Sequence, residues 1–262
     1  MKYKNKEARN FGFQPPTIEE SDFWFGSKKL GSVDLNPSGN WLNFLPIFEP
    51  QSKTIDVNGC VSFAMNSCAE ILHKFLYQTE PNYSDRFLAS ISETKPEKGG
   101  NTPKKVAVSF RASGAIPETE YPFVDNLAEY YQEIPQQLKD MGLEFLKNYS
   151  WGYEWVDSAL LKNALRRSPV GCAVSAWQTN DKNEYIRFGV SNHYVVLVAF
   201  DEQDRPIIFD SYEKNLKTLE KNFKLEFTQI YTLTKKTPEI KKNFLRVIHN
   251  WLFTLFAKLR II

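Results

Sequence analysis

Gly59-Cys60-Val61-Ser62-Phe63-Ala64 opens the first stretch of the chain with clear helical spacing. From there Val61, Ala64, Cys68, Ile71, Leu72 and Phe75 fall on one face at intervals of three and four, which predicts an amphipathic helix beginning at Cys60. Asn58 stands where a cap is expected, and Pro81 lies beyond the far end. A cysteine that starts a helix faces the unpaired main-chain N–H groups there, which favour its thiolate, the nucleophilic form. On its own, Cys60 is better read as a buried, inert cysteine. What changes that reading is the rest of the chain.

Downstream, Thr102-Pro103 is a cap followed by proline in the first turn, and Gly114 closes the helix it starts. Residues 125–148 suggest a helix interrupted at Pro135, and 157–167 another, stopped by Ser168-Pro169. The pattern then changes. Val170, Cys172, Val174 and Ala176 alternate with Gly171, Ala173 and Ser175 as in a strand, and 185–190, 193–200, 206–210 and 225–233 read as further strands. Helices crowd the first half and strands the second, an α+β order that suits a helical lobe packed against an antiparallel β lobe.

Upstream, residues 1–50 are rich in Pro, Gly, Asn and aromatics and read as an irregular arm packing on the domain through Phe23, Trp24, Phe25, Trp41, Phe44 and Phe48. Residues 51–235 form the main domain. Beyond it, 236–262 reads as a basic amphipathic helix, with Phe244, Ile248, Trp251, Leu255 and Leu259 along one stripe. Its bland reading is an added helix on the domain; the sharper one is docking to a partner or a membrane surface.

Composition excludes several classes. With 42% hydrophobic and 24% charged residues the chain is ordinary for a globular protein, and a net charge of +2 points to no nucleic-acid partner. No run approaches the length of a transmembrane segment. The N-terminus carries lysines without an apolar stretch after them, so no secretory signal is recognisable and a cytoplasmic or otherwise unexported product is expected. Three cysteines cannot form a disulfide framework. No metal-ligand spacing occurs, and no cofactor is implied.

A cysteine nucleophile needs a base, and there are three histidines. His73 lies further along the same helix, about 20 Å from Cys60 at a rise of about 1.5 Å per residue. His249 is in the tail. His193 follows the polar Ser191-Asn192 and opens the apolar run 194–200, which puts a polar group at the end of a sheet. Asp210 ends the strand that begins at Pro206, at hairpin distance from His193, where a carboxylate could accept the other imidazole N–H and fix the tautomer. Separately, His193 reads as a structural histidine and Asp210 as a turn aspartate. Together with Cys60 they read as a triad.

At these residues the sequence resembles the papain-like cysteine peptidases. Gly59-Cys-Val-Ser-Phe-Ala64 is similar to the family's nucleophile motif. Gly99-Gly100 before a helix resembles its substrate wall, and Gly114-Ala-Ile-Pro-Glu-Thr-Glu-Tyr-Pro-Phe123 its Gly-Ile…Tyr-Pro-Tyr segment. Ser168-Pro-Val-Gly-Cys-Ala-Val-Ser-Ala176 resembles the Pro-Val strand before the catalytic histidine, and Asn192-His193 the start of Asn-His-Ala-Val. The likeness runs from Gln51 to Leu233 with every motif in family order. The intervals from Cys60 to His193 and Asp210 match the family's spacing of about 130–150 residues.

The resemblance implies a two-lobe fold with a groove for a peptide or protein substrate. It implies Cys60 as nucleophile, His193 as base, Asp210 as orienting group, and Gln51 as the side-chain donor to the oxyanion. Asn58 is the substitute for Gln51. Gly99, Gly100 and Asn192 would line the groove, and Tyr212 would shield the His–Asp pair. The chain departs from the pattern at Val61, where the family has tryptophan. It departs again at Asp210-Ser-Tyr-Glu213, where the family has Asn-Ser-Trp-Gly. The residues before Cys60 are too few for a separate inhibitory segment plus an N-terminal arm, so how activity is restrained is not visible. The triad order alone also suits a transglutaminase-like protein or a cell-wall amidase or endopeptidase. A papain-like scaffold that has lost activity and serves as a binding module is the non-enzymatic alternative.

Overall fold

The structure, a computed structural model, describes residues 9–26, 34–212 and 215–236. The tail expected to be a basic helix lies outside the described residues. Helix α1 (Cys60–Tyr77) begins at the cysteine, as its periodicity predicts. Its cap differs from expectation. Gly59 occupies the N-cap position with no side-chain cap, whereas Asn58 is held in a left-handed conformation (φ 50°) with its N–H on the Asp56 carboxylate at 2.9 Å. At the far end Gln78 turns left-handed and closes the helix on Lys74.

The other helices follow in chain order: α2 (Asp85–Ile91), α3 (Pro103–Ser113), α4 (Leu127–Tyr130), α5 (Gln136–Asn148) and α6 (Leu161–Leu165). In α3 the Thr102 hydroxyl accepts from the Lys105 N–H and Pro103 sits in the first turn, the arrangement read from the sequence. Pro135 caps α5 from outside, so the expected interrupted helix is two separate ones. Helix α2 was not expected; Ser84 caps it by accepting from the Phe87 N–H.

Eight strands are described: β1 (Tyr149–Trp155), β2 (Val170–Val174), β3 (Gln178–Thr179), β4 (Tyr185–Ile186), β5 (His193–Phe200), β6 (Pro206–Phe209), β7 (Leu216–Thr218) and β8 (Glu226–Lys235). Six of them form one antiparallel sheet in the order β1-β8-β2-β5-β6-β7, and β3 pairs with β4 apart from it. The strand expected at 185–190 is only the short β4, and β1 and β7 were not expected.

The sheet's middle is dry. Every residue of β2 is buried, and every residue of β5 except Phe200. That explains why residues 194–200 of β5 read as a continuous apolar run; in β2 the residues read as alternating are small or apolar and are buried on both faces. Helix α1 packs on β5, β8 and β2, and its apolar stripe with Cys68, Ile71 and Leu72 joins Cys172, Val195 and Leu197 in one core. Cys68 and Cys172 are free, buried core residues, as expected. Among the described residues no helix is long and apolar enough to cross a membrane. The consequence for chemistry is positional: Cys60 is the first residue of α1 and His193 the first of β5, and those two elements pack together.

Candidate active site

Strand β5 pairs with β2 so that His193 lies opposite Val174, and with β6 so that Val196 lies opposite Phe209. This register carries Asp210, just past β6, alongside the start of β5. His193 Nε2 and Asp210 Oδ1 are 2.6 Å apart, with both side chains wholly shielded from solvent. Burial by itself would push the Asp210 carboxyl up, but the charge and hydrogen bond of His193, and then those of Lys217, hold it below the usual carboxylate range. An ionised carboxylate can only accept, so the proton of this bond sits on Nε2. That leaves Nδ1 as the basic nitrogen, and it is buried with no hydrogen-bond partner among the described residues.

Cys60 is also fully buried. Loss of solvent pushes its thiol far up; the main-chain N–H of Tyr194 draws it down, the charges of Asp56 and Asp210 raise it further, and the Val61 N–H lowers it. The sulfur therefore sits beside the first residues of β5 as a protonated thiol. The helix N-terminus does not overcome burial here, contrary to what the position of Cys60 alone suggests.

Three rings enclose the imidazole. Tyr212 meets it edge-on with centroids 5.3 Å apart, Trp177 at 5.8 Å and Phe11 at 5.3 Å. Trp177 also donates its indole N–H to Asp210 Oδ2 at 3.1 Å, and Lys217 Nζ donates to the same oxygen at 2.7 Å. Gln51 is buried and its amide is fully occupied. Nε2 lies 3.0 Å from the Phe11 carbonyl, 3.1 Å from Asp56 Oδ1 and 2.8 Å from the Tyr212 hydroxyl, and its Oε1 accepts from Ser211 at 2.7 Å. Asp56 in turn binds Arg9 and the Tyr212 hydroxyl.

The N-terminal arm runs over this constellation. The Phe11 N–H donates to the Asn192 carbonyl at 2.9 Å, and the Asn192 side chain donates to the Arg9 carbonyl at 2.8 Å. One residue on, the Gly12 carbonyl accepts from the Asn101 N–H at 3.0 Å, and the Gln14 N–H donates to the Asn101 carbonyl at 2.8 Å. Gly12 is wedged between two backbones. A Cβ there would lie 2.0 Å from the Asn58 carbonyl oxygen, and one on Gly100 would lie 2.0 Å from that of Gly12. Both glycines have positive φ, 107° and 98°. Gly100 also closes a turn with Lys95 through paired main-chain bonds.

Of the residues singled out from the sequence, His193 and Asp210 are directly bonded, Gln51 and Tyr212 are bonded to each other, and Asn192 and Gly100 hold the arm; Gly99 approaches Asn10. His73 is elsewhere, bonded to the Tyr83 hydroxyl at 2.7 Å. Sequence reasoning missed Phe11, Asp56, Trp177 and Lys217. Phe11 and Trp177 reach the site across long sequence intervals, and Asp56 and Lys217 lie near Cys60 and Asp210 with no motif to mark them.

No family model matches the sequence, and no curated protein matches it. Solved structures do match in fold. A cysteine protease and lectin-like domain pair of Cwp84 from Clostridium difficile superposes with a TM-score of 0.63 at 12% identity, over 90% of this chain and 58% of that one. The Amb a 11 cysteine protease of ragweed pollen, in its proform, gives 0.58 at 16% identity, over 80% of this chain and 69% of the other. Procathepsin L 3 of Tenebrio molitor gives 0.56 at 15% identity, over 83% and 75%. At such identities the likeness is one of architecture, and it agrees with the helices and antiparallel sheet described above: the chain has the papain-like cysteine-protease fold.

Proposed function

We propose that the chain is a cysteine peptidase acting on peptide or protein substrates, with Cys60 as nucleophile, His193 as base and Asp210 as orienting group. The observation that carries this reading is the 2.6 Å contact between His193 Nε2 and Asp210 Oδ1, which leaves an unpartnered Nδ1 on a ring one residue from the N–H that faces the Cys60 sulfur. In the reaction Nδ1 takes the thiol proton and the thiolate adds to the substrate carbonyl carbon. The oxyanion is met by the Cys60 N–H and the Gln51 amide. The imidazolium then protonates the leaving amine, and water, deprotonated by the same nitrogen, releases the acid from the acyl-enzyme.

The conformation described here is a covered one. Gln51 gives its amide to Phe11, Asp56 and Tyr212, and Cys60 is buried and protonated. For a substrate to enter, residues 9–14 must leave the groove. The same facts favour one competing reading, a papain-like binding module without activity. Labelling separates the two: incubate the full chain with an epoxysuccinyl peptide at neutral pH and map the adduct by mass spectrometry. Peptidase chemistry gives an adduct at Cys60 that is lost in His193→Ala. Labelling of Cys60 no faster than glutathione, before and after limited proteolysis of the arm, rejects the peptidase reading.

A further inference from the structure

Lys217 carries an inference of its own. It lies in β7 opposite Ile208 of β6, and its side chain is 3% exposed. An ammonium so deep in protein persists only beside a counter-charge. Its counter-charge is the second oxygen of the carboxylate that binds the histidine: Nζ is 2.7 Å from Asp210 Oδ2, which also accepts from the Trp177 indole, while Oδ1 faces His193. The ammonium also lies over the Trp177 ring at 5.3 Å and the Tyr185 ring at 5.9 Å.

We propose that Lys217 is a positioning residue for the triad, cancelling the buried charge of Asp210 so that the carboxylate orients His193 without locking it as a permanent imidazolium. This rests on the peptidase reading for its purpose, but the charge coupling stands by itself. An isolated buried carboxylate beside an imidazole holds its proton tightly, which removes the base, and repels a thiolate nearby, which removes the nucleophile. Asp210 exerts that second effect on Cys60 already. With Lys217 on the opposite oxygen, the pair presents the ring with an acceptor of little net charge. The groups that face Asp210 come from several elements: His193 from β5, Lys217 from β7, the Trp177 indole from the loop after β2, Tyr185 from β4, and Cys60, with Asp56 behind it, from the start of α1.

The chain has three histidines, so the ring resonances of His193 can be followed in the full chain by nitrogen-15 histidine NMR. In Lys217→Met the His193 titration is expected to move up by about 1–2 pH units relative to the parent, the size of one lost charge a few ångströms away at an effective dielectric of about 20. In Asp210→Asn it moves down. In Lys217→Met/Asp210→Asn it lies between the two single variants, because both charges are gone and their effects on the ring are opposite in sign. Should Lys217→Met fail to fold while the double variant folds, the charge imbalance is the cause and the inference holds. It is overturned if Lys217→Met folds with the His193 titration unmoved, if the double variant keeps a single variant's shift, or if Lys217→Met and the double variant unfold alike. Cys60 labelling no faster than glutathione both before and after proteolysis of the arm would reject the peptidase reading without touching this result.

Discussion

The Phe11 carbonyl rests on the Gln51 amide at 3.0 Å while the Phe11 N–H rests on the Asn192 carbonyl at 2.9 Å. Residues 11–14 of the chain's own N-terminal arm thus bond the Gln51 side chain and the main chain of Asn192 and Asn101. Phe11 covers the imidazole and Gly12 fills the narrow space between Asn58 and Gly100. Extended backbone, two glycines and one aromatic ring suffice.

Loosening that arm should uncover the thiol. Gly12→Ala puts a Cβ 2.0 Å from the Asn58 main-chain oxygen, a backbone clash that the arm has to lift to relieve. Phe11→Ala removes the ring over His193. Both variants are expected to raise the rate of Cys60 alkylation by iodoacetamide at neutral pH by about tenfold or more, which corresponds to about 1.4 kcal/mol of cover. Cys60→Ala serves as the blank. A rate equal to the parent's in both variants would mean that the arm is not what shields the sulfur.

Replacing the residues proposed as a triad should grade their roles. His193→Ala removes the base and is expected to lower kcat/KM on a peptide substrate by about 10²–10⁴. Asp210→Asn keeps an acceptor for the Nε2 proton and should cost less. The measurement is steady-state cleavage of a fluorogenic peptide by arm-released protein. An Asp210→Asn enzyme as inactive as His193→Ala would remove the orienting role from Asp210.

Much of this is legible in the sequence, for physical reasons. Helix α1 announces itself through its apolar stripe, and α3 through Thr102, Pro103 and Gly114. His193 was visible because a polar residue opening a dry strand has few explanations. Strand β1 was not, since Tyr149–Trp155 follows α5 with no glycine or proline between them to mark the change. Asn58 looked like a cap by residue type, but the Asp56 carboxylate takes its N–H and turns it left-handed. Lys217 has no signal in the sequence, since the strand that carries it is not expected there. Only the fold brings it to the carboxylate, as it brings Phe11 to the ring.

A second electrostatic feature predicts how stability responds to pH. Glu70 and Asp85 are buried in α1 and α2, and Glu49 and Glu118 are half-buried beside them. Burial pushes the Glu118 carboxyl up to about 7 and holds the other three above their ordinary values. A carboxyl raised on folding binds its proton more tightly in the folded chain. Its stabilisation is therefore complete below about pH 4.5 and lost as pH climbs through about 7 for Glu118. His73 acts in the opposite sense, since burial lowers its affinity for a proton and favours the fold above pH 6.5. Four carboxyls outweigh one imidazole. Thermal unfolding is expected at higher temperature at pH 5 than at pH 8, and Glu118→Gln should flatten that fall. A parent whose midpoint rises from pH 5 to pH 8 would contradict the assignment.

The last prediction concerns the acid behind the nucleophile. Asp56 is tied to Arg9, Gln51 and the Tyr212 hydroxyl, and its charge is among the influences that keep the Cys60 thiol protonated. Asp56→Asn preserves the shape and most of the hydrogen bonds while removing the charge. The pH at which Cys60 becomes half-reactive toward iodoacetamide should fall, by up to about one unit, since one repelling carboxylate near the sulfur is gone. The same change frees Arg9 and so loosens the arm, which raises the rate at every pH without moving the midpoint. Rate and midpoint therefore report separately on cover and on charge. A midpoint that stays where it is in Asp56→Asn, with the rate raised, would assign Asp56 to fastening the arm alone and leave burial as the influence that holds the thiol protonated.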